Sequence, residues 1–488
     1  MSKTIKMTNP ETGKHIQPGM HVLVVGLGKT GLAATRFFLL QGARVSVSES
    51  SPESSINPDT LTWLRNNNIL CEIGIHSEAL FTSVDLVFVS PGIPLTMEPL
   101  VAARRRRIPI IGELAIAADS IQTPVVGVTG TNGKTTVTTL LGDIFKAGSR
   151  KVFVGGNIGT PLFEYICSPQ DADIVVAEIS SFQLDTGGDE KGLPFKTAVL
   201  LNITPDHLER YNSFSAYVDS KFKIFSAQCP DDFAILNADD VEIMNRKHLW
   251  PQSKKFFFGR ELGDLAGASI HDNIIRLKNS SSATLPENLH GESYDLSRTT
   301  LNTGPNPQNA AAAILAARLM GCPQTDIQKG LEAFRPLAHR MTIVAEIGGV
   351  SYIDDSKATN VGAVYSALEG MKQPVILIAG GRDKGGDYSI LSELVHKKVK
   401  HMLLIGEASD KMSRAFLAFT SVEMCDTLQE AVIRANSLAE QGDAVLLSPA
   451  CASFDMFSSY GERGDVFQKA VLALRHSTVG SEVTAATY

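Results

Sequence analysis

At 488 residues the chain is too long for one ordinary domain, and two to four are expected. Its 43% hydrophobic and 20% charged residues suit a soluble protein with sizeable cores, and a net charge of −7 argues against a general nucleic-acid binder. Six cysteines, at 71, 167, 229, 322, 425 and 451, are spaced too widely for a CxxC metal or redox site, which points to reduced thiols in a cytoplasmic protein. Met1 to Gly19 is polar and does not read as a signal peptide, and no apolar stretch approaches the ~20 residues that span a bilayer.

Short β-branched apolar runs alternate with helical patterns along the chain. Runs apolar on both faces and separated by helices imply parallel sheets covered on both sides. The first run, His21 to Val25, leads into Gly26-Leu27-Gly28-Lys29-Thr30-Gly31 and a helix predicted over Leu32 to Leu40. GxGxxG between a strand and a helix offers amides and a helix dipole to a pyrophosphate. Glu49, 18 residues past Gly31 at the end of the next strand, is placed to accept from ribose hydroxyls. Glycines that merely allow tight strand–helix packing are the competing reading. The Asp85 to Val89 run follows, then an apolar helix ending in Arg104-Arg105-Arg106-Arg107, read as a solvated helix end rather than an anion site. A boundary is expected before Gln122-Thr123-Pro124, giving a first domain over residues 1–119.

A second phosphate loop is sharper. Val125 to Val128 is a strand, Gly130-Thr131-Asn132-Gly133-Lys134-Thr135-Thr136 the loop, and a helix is predicted from Val137. The glycines let backbone N–H groups point at phosphate oxygens, Lys134 supplies a cation, and Thr135 offers a hydroxyl to Mg²⁺. Val128 stands where GxxxxGKT has its first glycine. Glu178 follows a strand predicted over Ile174 to Ala177; by itself it reads as a surface carboxylate or helix cap. His207, after a strand predicted over Ala198 to Ile203, reads as a loop histidine. Lys221 and Lys223, on a helix from Phe214, read by pattern as exposed. Residues 262–300, including Asn279-Ser280-Ser281-Ser282, read as hairpins and loops. A helix opens at Asn306-Pro307-Gln308-Asn309, and another ends near Phe334-Arg335-Pro336, closing a middle domain over residues 120–336. Runs at Val375 to Ile378 and Ala444 to Leu447 belong to a third domain over 337–488, whose end, Ser477 to Tyr488, reads as frayed. No repeat of 20–50 residues is present. A dehydrogenase accounts only for the first loop and a P-loop kinase only for the second. Both loops together point to ATP plus a separate nucleotide-diphosphate substrate, and with Glu178 and His207 they disfavour a non-catalytic binding module.

The loop Gly130 to Thr135 resembles that of the Mur ligases and their folylpolyglutamate synthase relatives. Other segments match in that family's order over roughly residues 20–470: the Gly26 loop, Ser90-Pro91-Gly92-Ile93, Gly155-Gly156-Asn157-Ile158-Gly159, Glu178 to Leu184, Asp206 to Tyr211, Asp355 to Asn360, Gly380 to Lys384 and Leu447 to Asp455. The resemblance implies an α/β chain of three domains: N-terminal Rossmann-like, central P-loop ATPase-like and C-terminal Rossmann-like. It implies an ATP-dependent ligase of peptidoglycan precursor synthesis that makes an acyl phosphate and lets an amine attack it. The match is best to the branch that adds D-glutamate to UDP-N-acetylmuramoyl-L-alanine. A sister ligase is expected to differ at Lys357-Ala358-Thr359 and at Ser448 to Phe454.

Residue by residue, the resemblance implies ATP contacts at Gly130, Thr131, Asn132, Gly133, Lys134, Thr135, Thr136, Asn306, Asn309, Arg340, Asp355 and Lys357, with His339 beside them. It implies UDP-substrate contacts at Lys29, Thr30, Glu49, Ser50, Gly92 and Asn157, and D-glutamate contacts at Thr359, Lys384, Ser453, Phe454 and Tyr460. Two Mg²⁺ ions are implied, one on Thr135 and Glu178 and a second on His207 and a carbamylated Lys221; Lys134, Glu178, His207 and Lys221 form the catalytic set. Two departures stand out: Pro305 replaces the family's histidine, with Gly304 displaced by one, and Glu49 replaces an aspartate. The expected protein is a cytoplasmic monomer with no nucleic-acid or membrane partner.

Overall fold

The apolar runs assemble into three sheets in the computed structural model, which describes residues 16–186, 192–207, 210–281, 285–286, 289–335 and 337–484. The first sheet holds β1 (His21–Val25), β2 (Arg44–Glu49), β3 (Leu70–Ile73), β4 (Leu86–Val89) and β5 (Ile110–Ile111), in the order β3-β2-β1-β4-β5. All its pairs are parallel. The winding reverses between β1 and β4, where such a sheet opens a ligand crevice outside its carboxyl ends. The Gly26 loop follows β1 and Ser90-Pro91-Gly92 follows β4. The helix after β1 runs Lys29–Leu40, three residues longer than predicted. Its first turn borrows the loop, because those N–H groups have no intrahelical partner anyway. A Cβ on Gly31 would lie 1.8 Å from the Gly26 carbonyl oxygen, so strand and helix approach this closely only with glycine there.

The second sheet holds β6 (Val125–Thr129), β7 (Val152–Gly156), β8 (Ile174–Glu178), β9 (Thr197–Leu200), β10 (Phe233–Asn237), β11 (Lys254–Gly259), β12 (Gly267–His271), β13 (Ile274–Lys278) and β14 (Ser293–Asp295). Its order is β14-β13-β12-β11-β10-β9-β6-β8-β7. It is parallel except for the β12–β13–β14 hairpins, which form the polar segment after residue 262. Two predicted ends shift. β8 includes Glu178, which pairs with Val128 and Gly156 as its last residue. β9 stops at Leu200 rather than Ile203, because from Asn202 the backbone bonds turn to the phosphate loop, with Thr131 N–H donating to the Asn202 carbonyl at 2.9 Å.

The third sheet holds β15 (Thr342–Ile347), β16 (Val350–Asp354), β17 (Val375–Gly380), β18 (Val399–Ile405), β19 (Ser421–Met424) and β20 (Ala444–Leu447), in the order β15-β16-β20-β17-β18-β19, with only β15 antiparallel. The closing helix runs Tyr460–Thr484, so the end that reads as frayed in the sequence begins within a helix. Residues 485–488 lie outside the described residues. So does Pro336, on which the predicted second boundary falls; the helix before it runs Gln324–Ala333.

The first two sheets share a core. Val22, Val24, Phe37, Phe38 and Phe88 from the first side join Phe163, Ile166, Val175 and Leu200 from the second in one buried cluster. The Phe163 ring lies 5.3 Å from Phe37 and 5.4 Å from Phe88. The helix Glu113–Ser120, within the predicted first domain and its boundary, packs on the middle-domain helices Leu162–Ile166 and Ser181–Asp185. Its Glu113 is fully buried and accepts from Leu162 N–H at 2.8 Å and Gln183 Nε2 at 2.9 Å. The third sheet carries separate apolar clusters. No helix among the described residues is long and apolar enough to cross a membrane.

Candidate active site

β6 delivers the phosphate loop. Gly133 takes a left-handed φ of +85° and caps the helix Lys134–Ala147, which begins three residues before the predicted start. A Cβ there would lie 2.4 Å from Asn309 Oδ1. Val128, at the Walker glycine position, is an interior residue of β6 paired with Glu178 and Val199, so the loop proper starts at Gly130. Lys134 Nζ donates to the Gly130 and Thr131 carbonyls at 2.7 and 2.8 Å, and Asn132 N–H donates to Asn202 Oδ1 at 2.8 Å. The loop forms one wall of a cavity of about 590 Å³, whose opposite wall comes from the third domain.

Glu178 is 1% exposed. Its Oε1 accepts from Asn157 Nδ2 at 2.9 Å, whereas its Oε2 is buried with no hydrogen-bond partner among the described residues. Asn157 therefore sits with Glu178 in this cavity, away from the other predicted UDP contacts. Its backbone N–H bonds the Glu178 carbonyl across the edge of the sheet, which fixes it there. His207 also lines the cavity, with a left-handed φ of +56° and its ring 4.8 Å from Phe182.

Lys221 corrects its pattern-based reading: it is 1% exposed and does not line the cavity. Its helix, Phe214–Phe222, packs on Ser181–Asp185 and turns Lys221 beneath the phosphate loop. There Nζ donates to the Gly130 carbonyl at 2.9 Å and lies 4.6 Å from the Tyr217 ring. Burial, and then the Lys134 charge, hold its ammonium well below the usual lysine range. Lys223 instead reaches Asp185 at 2.8 Å with its side chain half-exposed.

From the third domain, Arg340 donates to Thr135 Oγ1 at 3.3 Å. Asp355 accepts from Ser448 Oγ at 2.9 Å, and burial pushes its carboxyl up to about 7. Burial, with the Arg340 charge, brings Lys357 down to about 8. His339 meets the buried Asp354 at 2.7 Å. Asn306 and Asn309 open the helix Asn306–Leu319, with Pro305 at its cap. Thr359, Lys384 and Tyr460 line the cavity, and Lys384 Nζ lies 3.5 Å from Thr359 Oγ1 and 3.9 Å from Asp206 Oδ1. Ser453 and Phe454 do not line it: on the loop after β20, Ser453 is buried and Phe454 is 64% exposed. Sequence reasoning gave no role to Asn202, Asn237, Asp206 or Asn360, all of which face this cavity. Asn202 and Asn237 carried a signal, since each is the first polar residue closing an apolar run.

The remaining UDP-side residues gather at the carboxyl edge of the first sheet. The Glu49 carboxylate accepts from Leu27 N–H at 2.7 Å and Ser51 N–H at 2.8 Å, so it braces the glycine loop. Arg210, from the middle domain, reaches the same edge and donates to the carbonyls of Pro91, Gly92 and Ile93.

Three family models match consecutive parts of the chain: a MurD-like Mur ligase N-terminal domain over residues 20–112, the Mur ligase middle domain over 128–317, and the Mur ligase glutamate ligase domain over 339–451. The UDP-N-acetylmuramoylalanine–D-glutamate ligase of Geotalea daltonii is 42% identical over 456 residues, covering 93% of this chain and 98% of its own. The ligase of the same name from Desulfosudis oleivorans is 43% identical over 454 residues, covering 93% and 96%. Among solved structures, a pseudomurein peptide ligase type C from Methanothermus fervidus superposes with a TM-score of 0.58 at 18% identity, covering 93% of this chain and all of that one. The MurF ligase of Thermotoga maritima in complex with ADP gives 0.55 at 18%, covering 94% and 96%; these likenesses concern the fold.

Proposed function

The chain belongs to the Mur ligase family, and from that premise we propose that it uses ATP to join D-glutamate to the alanyl carboxylate of UDP-N-acetylmuramoyl-L-alanine, a step of peptidoglycan precursor synthesis. The first domain (1–119) holds the UDP end, the second (120–336) ATP and the third (337–488) the amino acid. The observation that carries the chemistry is the Glu178 Oε2 atom, a buried carboxylate oxygen with no hydrogen-bond partner among the described residues, in the cavity that also holds Lys134, Arg340 and Lys384.

The loop amides and Lys134 grip the ATP phosphates while Arg340 approaches from the third domain. The alanyl carboxylate takes the γ-phosphoryl group, ADP leaves, and the uncharged amine of D-glutamate attacks the acyl carbon, expelling phosphate. Lys384 and Thr359 orient the incoming carboxylates. Two anions must meet, so a cation is needed. The oxygen donors of Thr135 and Glu178 fit magnesium, which takes one or two carboxylates with water and phosphate oxygens, whereas the His207 imidazole is an unusual ligand for it. Thr135 and Glu178 would hold one ion, and His207 with a carbamylated Lys221 a second; bound there, they screen the charge between phosphate and carboxylate. Water and phosphate oxygens would complete the coordination of either ion. Carbamylation needs a neutral amine, and burial favours that form of Lys221. A carbamate would keep one N–H, enough for the Gly130 carbonyl, and would supply two oxygens as ligands. We place the reaction in the cytoplasm, carried out by a monomer.

The test is phosphate release from ATP in the presence of UDP-N-acetylmuramoyl-L-alanine. D-Glutamate should trigger it, whereas L-alanine and diamino acids should not; release triggered by another amino acid would overturn the assignment.

A further inference from the structure

We propose that Arg210 is a positioning residue for the UDP-substrate, presenting the Gly92 amide to it from across the domain boundary. The inference rests on reading the first-sheet edge as the UDP site. The Arg210 guanidinium donates to the Gly92 carbonyl at 2.8 Å, to Pro91 at 2.9 Å and to Ile93 at 2.5 Å, so one planar fork holds three successive carbonyls of a loop in another domain. A trans peptide sets its N–H opposite its C=O. With the Pro91 carbonyl turned toward Arg210, the Gly92 N–H of the same peptide points away from it. That N–H makes no backbone bond among the described residues, whereas Ile93 N–H is spent on the Ser90 carbonyl at 3.0 Å. Gly92 follows β4 at the winding reversal, opposite the Gly26 loop, where a crevice receives anionic ligands.

Arg210 is itself held. Its guanidinium stacks 4.0 Å from the Phe182 ring, and that ring lies 4.8 Å from His207. Asp206, beside His207, accepts from Asn360 Nδ2 of the third domain at 2.9 Å. A continuous line of contacts thus joins the Gly92 peptide to the reaction cavity, and it sets the register between the UDP end of the substrate and its reacting carboxylate.

Arg210→Gln, with the holoenzyme's full substrate set, should raise KM for UDP-N-acetylmuramoyl-L-alanine at least about tenfold, as loss of a charge-assisted bond predicts, and leave KM for ATP within about twofold. A purely structural arginine would instead move both constants, or only the melting temperature. In the wild-type protein, UDP should slow hydrogen exchange in the peptide containing Gly92. Absence of that protection overturns the UDP-site reading itself. Protection together with a wild-type UDP-substrate KM in Arg210→Gln overturns the role of Arg210 alone. If Arg210→Gln does not fold, Arg210→Lys, which keeps the charge but not the fork, carries the same comparison.

Discussion

Gly370→Ala sets two physical effects against each other. Gly370 ends the helix Val361–Gly370 where the third domain meets the turn before Asn306. A Cβ at 370 would lie 2.3 Å from the Gly304 Cα, 2.9 Å from its N and 3.2 Å from its C, all backbone atoms that no rotamer change can clear. Carbons in contact sit roughly 3.5–4.0 Å apart, so helix and turn must separate by about 1.2 Å or more. The same helix carries Asn360 at its start, 2.9 Å from Asp206, and Glu369 at its end, 3.6 Å from Arg260; that separation breaks these contacts as well. Taken alone, alanine suits a helix better than glycine by at most about 1 kcal/mol, and Gly370 does not use a left-handed φ. The propensity gain acts on the third domain itself. The overlap, about 1–3 kcal/mol, falls only on the docked arrangement. Melting temperature should therefore hold or rise while docking weakens about 5–150-fold, seen as lower kcat and higher KM for ATP. Calorimetry, steady-state kinetics and solution scattering with a non-hydrolysable ATP analogue measure all three. Wild-type kinetics with an unchanged scattering profile would refute the reasoning. Gly362→Ala should be only somewhat milder, because turning the Thr204 side chain clears its Oγ1, 2.4 Å away, but not its Cβ, 2.8 Å away.

Lys384→Met should raise the D-glutamate KM about 10- to 100-fold, the equivalent of ~1.5–3 kcal/mol for a charge-assisted bond, and an unchanged KM would move the pocket elsewhere. Lys221→Ala should lose nearly all activity and recover partly with a short carboxylic acid, whereas Lys223→Ala should behave like wild type. Wild-type activity of Lys221→Ala would remove the carbamate from the mechanism. Lys357 is held down to about 8 in the free protein, so it sheds its charge as pH rises through that value. The kcat/KM for ATP should then fall on the alkaline side of about pH 8, and Lys357→Arg should carry the plateau higher; an identical alkaline limb in the two proteins would exclude Lys357 as its source.

The three largely parallel sheets and the two glycine loops between strand and helix were legible in the sequence because each depends on contiguous residues: an apolar run, a glycine turn, a helix start. Lys221 was not, since its burial is decided by the carbonyl of Gly130, 91 residues away, and by the Tyr217 ring. Asn157 was legible as a motif residue, but its place beside Glu178 depends on β7 and β8 lying edge to edge. Ser453 and Phe454 follow a correctly predicted strand, yet the loop's path leaves one buried and the other in solvent. Contacts between segments distant in the chain, rather than local side-chain pattern, decided those cases.

The wedge of Phe163 between Phe37 and Phe88 bears on how such a chain can be recombined. Apolar faces that complete one another must be inherited together, or each is left wet and prone to aggregate. The first two sheets therefore form a single exchangeable piece: a chimera cut between residues 112 and 125 would expose both halves of one core. The third sheet carries closed cores on both of its faces and can be grafted from a relative as a unit. On the proposed assignment, amino-acid specificity is open to such exchange, whereas nucleotide-sugar specificity moves only together with the ATP-binding sheet.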